Sequence, residues 1–124
     1  MDIKTKKILI IDDDSRNIFA LAAVLKAKKY ICLSSNSVKQ GFDVLANDNE
    51  VAVVLMDMMM PDMDGYQAIR EMKEHPKMKA IPVIAVTAQA MVGDRERCLH
   101  AGAVGYVSKP VNVDELLVQL NNYI

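Results

Sequence analysis

Val51-Ala52-Val53-Val54-Leu55-Met56-Asp57 is apolar at every position until it ends on a carboxylate. A strand with one wet face alternates apolar and polar side chains. A run without a polar position reads as a strand covered on both faces, the environment of a central strand in a parallel sheet. Three further runs share the design. Ile8-Leu9-Ile10-Ile11 leads into Asp12-Asp13-Asp14, Ile81-Pro82-Val83-Ile84-Ala85-Val86 into Thr87, and Val104-Gly105-Tyr106-Val107-Ser108 into Lys109-Pro110. If all four are parallel strands of one sheet, their polar ends emerge at the same carboxyl edge, where open α/β sheets bind ligands. Carboxylates, a hydroxyl and an ammonium gathered there suit a divalent cation and a phosphoryl group.

Amphipathic segments separate the runs. Ile18, Leu21, Ala22 and Leu25 recur at helical spacing behind Asp14 or Ser15 as a start signal, and Lys26, Lys28 and Lys29 close that helix as complements to its dipole. Residues 30–34 read as a strand with Ile31 and Leu33 on its apolar side. Ser37-Val38-Lys39-Gln40 fits a capping box, with Val38, Phe42 and Leu45 as the stripe behind it. Asn47-Asp48-Asn49 is a turn, and Pro61-Asp62-Met63-Asp64-Gly65 is a loop opening a helix that carries Ile69 and Met72 and ends near Pro76. A helix over 91–100 is expected to face Val92 and Leu99 inward and to stop at Gly102. Val113, Leu116, Leu117 and Leu120 stripe the last helix behind Asn112. Five β-α units follow, so the expected fold is α/β: a single domain over 1–124, a doubly wound five-stranded parallel sheet with five helices.

The 124 residues suit one domain, and a hydrophobic fraction of 52% supports a packed core. With 15 basic and 16 acidic residues the net charge is −1, which gives no footprint for direct nucleic-acid binding. Asp57 interrupts the longest apolar run, so no membrane insertion is expected, and Lys4, Lys6 and Lys7 have no signal-peptide core behind them. A cytoplasmic location follows, with Cys32 and Cys98 as free thiols. His75 and His100 have no partner at ligand spacing and read as surface residues.

Asp12-Asp13, Asp57 with Met60-Pro61-Asp62-Met63-Asp64-Gly65, Thr87-Ala88 and Lys109-Pro110 resemble the signature of response-regulator receiver domains. The match covers essentially the whole chain, with each motif at a strand end and in order. Alone, Asp57 could be an exposed turn residue, Thr87 a β-branched strand end and Lys109 mere surface; together they are specific. The resemblance implies a flavodoxin-like receiver fold and a signalling switch that catalyses only its own phosphorylation and dephosphorylation. It implies Asp57 as phosphoacceptor, aided by Thr87 and Lys109. It implies Mg²⁺ held by Asp13 and Asp57 directly, by Asp12 partly through water, and by the Met59 carbonyl. Asp14 is left as a helix cap. Thr87 and Tyr106 take the switch roles, with Tyr106 rotating inward as Thr87 moves toward a phosphoryl group, and with output on the fourth helix, fifth strand and fifth helix. Met59 and Gln89 stand where the family tunes hydrolysis. The Lys109–Pro110 bond is expected to be cis. The implied phosphodonor is a histidine kinase or histidine phosphotransfer domain, and the implied assembly is a monomer or weak dimer. The stretch from Thr87 to Leu99 looks most like receivers attached to hybrid histidine kinases.

Two other classes compete. A Mg²⁺-dependent phosphatase with an aspartate nucleophile, of the haloacid-dehalogenase type, needs a second aspartate two residues after the first, where this chain has Met59. A flavin carrier of similar layout needs a first loop rich in Ser, Thr and Gly to cradle phosphate, where this chain has Asp12-Asp13-Asp14.

Overall fold

In a computed structural model, which describes residues 6–88 and 92–124, strands and helices alternate along the chain. Their order is β1 (Lys7–Ile11), α1 (Ser15–Ala27), β2 (Ile31–Ser35), α2 (Val38–Asn47), β3 (Val51–Asp57), α3 (Gly65–Glu74), β4 (Val83–Thr87), α4 (Asp94–Ala101), β5 (Gly105–Ser108) and α5 (Val113–Leu120). Among the described residues the strands make one parallel sheet in the order β2-β1-β3-β4-β5. The expected doubly wound sheet is thus present. Its order reverses between β1 and β3, which places the ligand crevice at their carboxyl ends.

Successive strand side chains point to opposite faces, and the sheet sorts its residues accordingly. Ile8, Ile10, Val53, Leu55, Ile84 and Val86 pack with Leu25 of α1 and with Leu116 and Leu120 of α5. Leu9, Ile11, Val54, Met56 and Ala85 meet Val38 of α2, Ile69 and Met72 of α3, and Cys98 of α4. Helices α1 and α5 therefore cover one face and α2, α3 and α4 the other. Strand β3 is buried along nearly its whole length, as its unbroken apolar sequence requires.

Capping residues fix the helix starts. Asp14 accepts from Arg16 N at 2.9 Å and Asn112 from Glu115 N at 3.0 Å. Ser37 Oγ accepts from Gln40 N at 3.1 Å, while Gln40 Oε1 accepts from Asn36 N at 3.4 Å, so the reciprocal bond lands one residue earlier than in a capping box. Gly102, at φ 122°, ends α4 in a backbone region closed to most side chains.

Two expectations need correction. In β2, Leu33 packs against the core but Ile31 is exposed, and Cys32 packs on the opposite face. Strand β2 lies at the edge of the sheet, where coverage is thinner. Helix α4 begins at Asp94, so Val92 lies in the turn before it; Val92 and Leu99 are exposed, and the buried residues of α4 are Asp94, Cys98 and Ala101. These three stand at i, i+4 and i+7, one face of a helix entered from the left-handed Gly93. Hydrophobicity favoured the longer Leu99, which is one position and about 100° round the helix from that face. Met91, the expected first residue, lies outside the described residues, as does Gln89.

Candidate functional site

Asp12 directly follows β1, Asp57 closes β3, Thr87 closes β4 and Lys109 follows β5. The sheet thereby gathers at one edge the residues picked out along the sequence. Asp12, Asp57 and Thr87 are buried, Asp13 is exposed and Lys109 lies between. Carboxylate oxygens of Asp12, Asp13 and Asp57 all lie within 4.8 Å of one another. Lys109 Nζ stands 3.2 Å from Asp12 Oδ2 and 3.6 Å from Asp57 Oδ2. The Lys109–Pro110 peptide bond is cis, as the resemblance implies. Asp14 does not join the cluster and caps α1 instead.

Main-chain donors orient both buried acids. Asp57 Oδ1 accepts from Met59 N at 3.0 Å, and Asp12 Oδ1 accepts from Asp14 N at 2.9 Å. Burial pushes the Asp57 carboxyl above its ordinary value; the Met59 N–H and Lys109 pull it down, and the Asp12 charge adds to the rise. Burial draws the Lys109 ammonium down, but Asp57 and Asp12 outweigh it and leave its pKa raised. One ammonium thus faces more negative charge than it can neutralise.

The donor set fits a hard divalent cation. Mg²⁺ prefers oxygen ligands at roughly 2.0–2.1 Å and commonly keeps several waters alongside one or two carboxylates. Three carboxylates within 4.8 Å, one of them exposed, supply that chemistry with a way in for water.

The loop after β3 is held from several directions. Met58 N donates to Val86 O at 3.0 Å, Gly65 N donates to Met58 O at 3.3 Å, and Met59 bridges to Asp64. A Cβ at Gly65 would stand 2.6 Å from Met58 Cα, so only glycine lets α3 begin this close to the strand end. Met58 and Met60 are buried packing residues, whereas Met59 is 52% exposed beside the acids. Asp62 received no role from the sequence. Its two carboxylate oxygens accept from Val38 N and Lys39 N, each at 3.2 Å, giving α2 a second cap from a distant loop.

Asp94 was also missed. It is 8% exposed, and the hydroxyls of Tyr66 and Tyr106 both donate to its carboxylate. Burial and the Asp94 hydrogen bond push the Tyr66 hydroxyl far up, and burial followed by the Asp94 charge raises Tyr106. Both phenols therefore keep their protons and act as donors. A buried aspartate at a helix start reads in sequence as an ordinary dipole acid, which is why it gave no signal. Burial raises both thiols, so Cys32 and Cys98 are poor nucleophiles.

The family model for the response regulator receiver domain matches residues 8–121. The chain belongs to the response-regulator receiver family. The polar-differentiation response regulator DivK of Brucella ovis is 32% identical over 120 residues, covering 97% of each chain. A putative response regulator from Chloroflexus aurantiacus superposes with a TM-score of 0.87 at 28% identity over 94% of each chain. The receiver domain of a Pseudomonas aeruginosa sensor histidine kinase superposes with a TM-score of 0.84 at 32% identity, over 94% of this chain and 95% of its own. That domain is described with a magnesium ion coordinated in its active-site cleft. The chain is therefore a receiver domain of two-component signalling, a phosphorylation-activated switch and not a turnover enzyme. The phosphatase reading is set aside. Among the described residues no helix is long and apolar enough to cross a membrane.

Proposed function

We propose that Asp57 is the phosphoacceptor, taking a phosphoryl group from a phosphohistidine on a histidine kinase or a histidine phosphotransfer domain. A carboxylate oxygen of Asp57 forms the bond to phosphorus as the phosphorus–nitrogen bond breaks and the imidazole leaves, giving an acyl phosphate. The observation that carries this is the convergence of Lys109 and three carboxylates on one crevice, with Asp57 Oδ1 already fixed by Met59 N. Asp12, Asp13, Asp57 and the Met59 carbonyl are the proposed Mg²⁺ ligands. When bound there, the cation would supply positive charge to neutralise the transferring group. Lys109 gives a second positive charge at the same place. Thr87, buried at the end of β4, provides a hydroxyl donor for a phosphoryl oxygen.

Catalysis on this reading is positioning and electrostatics, carried out by the chain on itself. Phosphorylation then biases a two-state equilibrium through Thr87 and Tyr106, with output on α4, β5 and α5. Residues 1–124 act as one unit. The free thiols Cys32 and Cys98 agree with the reducing cytoplasm as its setting.

Acetyl phosphate with Mg²⁺ tests the assignment. The chain should gain one phosphoryl group, labile to base and hydroxylamine, and Asp57→Asn should abolish it. Labelling of the Asn variant, or labelling that persists with all divalent metal chelated, would sink it.

A further inference from the structure

Asp94 opens α4, Tyr66 lies in the first turn of α3, and Tyr106 is on β5. Three elements thus meet on one buried carboxylate. Tyr106 Oη donates to Asp94 Oδ2 at 3.2 Å and Tyr66 Oη donates to Oδ1. The Arg97 guanidinium lies 4.2 Å from the centroid of the Tyr66 ring and steadies it from the next turn of α4. Tyr66 and Asp94 also line a cavity of about 190 Å³ that reaches Thr87 and Met59. The cluster therefore borders the acidic crevice on one side and holds the β5 tyrosine on the other.

We propose that Asp94 is the positioning residue for Tyr106: its carboxylate, anchored by Tyr66, holds the Tyr106 ring in the position it takes here. This rests on the reading of Tyr106 as the residue that moves. The geometry gives each partner a separate task. Tyr66 has no hydrogen bond to Tyr106 and acts on it through Asp94. Tyr106 cannot turn away without surrendering a bond to a buried charge. A hydrogen bond to a charged group contributes enough to change a two-state ratio roughly tenfold. Phosphorylation would have to work against that resistance, so Asp94 sets how far the switch lies toward its resting side.

The test uses the full chain with ¹³C-labelled tyrosine rings, followed by NMR with and without Mg²⁺ and beryllofluoride as a phosphoryl mimic. Asp94→Ala should shift the Tyr106 ring population away from its resting signal by roughly tenfold, and the apparent affinity for beryllofluoride should rise in step. Asp94→Asn, which keeps an acceptor oxygen, should fall between. Tyr66→Phe should move Tyr106 in the same direction, and adding it to Asp94→Ala should change nothing further. A purely structural Asp94 would lower the melting temperature and leave ring populations and mimic affinity where they were; that result overturns the proposal. So does an additive effect of Tyr66→Phe in the absence of Asp94. Should Asp94→Ala fail to fold, Asp94→Asn and Tyr66→Phe decide the matter alone. If the unsubstituted chain does not bind beryllofluoride, the Asp57 assignment falls, and the metal-free ring signals still decide for or against Asp94.

Discussion

Lys109 Nζ stands closer to Asp12 than to Asp57, at 3.2 Å against 3.6 Å, although Asp12 lies 97 positions away in sequence. The lysine is thus shared between two buried acids. Lys109→Ala should leave those acids facing each other without a counter-charge. In chelator, denaturant unfolding should show a loss on the order of 1–3 kcal/mol. Millimolar Mg²⁺ should recover most of it. A loss that Mg²⁺ does not touch would mean that Lys109 stabilises through packing of its stem.

The raised Asp57 carboxyl gives a pH signature. Its folded-state pKa lies above its ordinary value of 3.8, chiefly through burial. The folded chain therefore binds that proton more tightly than the unfolded chain. Its favourable contribution is complete below the ordinary value and is lost as pH rises through the folded value. Without metal, Asp57→Asn should be more stable than the parent near neutral pH, and the gap should close as pH falls toward 3.8. A gap that is constant with pH would contradict the burial argument. Saturating Mg²⁺ should stabilise the parent and not the variant.

Asp62 supplies a testable link between the loop after β3 and α2. Asp62→Ala removes acceptors from Val38 N and Lys39 N and should cost about 1 kcal/mol, the ordinary value of a cap. Hydrogen exchange should quicken in the first turn of α2 and not in α5. Uniform quickening across the chain would argue against a local cap.

Gly65→Ala is expected to be disruptive, because Gly65 is buried where α3 begins. The new methyl would meet the Met58 main chain at 2.6 Å, and backbone cannot move aside as a flexible side chain would. Overpacking of this kind costs roughly 1–3 kcal/mol. Because Met58 adjoins Asp57, Mg²⁺ affinity in a calorimetric titration should fall as well. An unchanged affinity would show that the loop relaxes without disturbing the acids.

The acidic crevice was legible because each of its residues terminates an apolar run, and a parallel sheet converts that shared position into proximity. Asp12, Asp57, Thr87 and Lys109 needed no side-chain detail to be grouped. Tyr66 and Asp94 were not legible, since their meeting depends on the rotational phase of α4 and on how closely it approaches α3. That phase was misjudged from Val92 and Leu99, where the stronger hydrophobes point outward and Cys98 and Ala101 turn to the core. Asp62 was hidden for a related reason: it caps a helix 24 positions before it, and capping patterns in sequence report only neighbours.

Thr87 and Ser108 are register partners, and among the described residues β5 pairs with β4 alone. Beyond β4, this strand of four residues is held by a side chain and not by a second ladder: Gln119 Nε2 of α5 donates to Tyr106 O at 3.1 Å. At the end of β3, by contrast, a shift would have to carry ladders on both flanks. The sheet is accordingly stiff where the acids must keep their spacing and compliant at the margin where Tyr106 resides. On the proposed reading, a crosslink across β4 and β5 should leave Mg²⁺ binding in the crevice intact while restraining the margin that carries Tyr106.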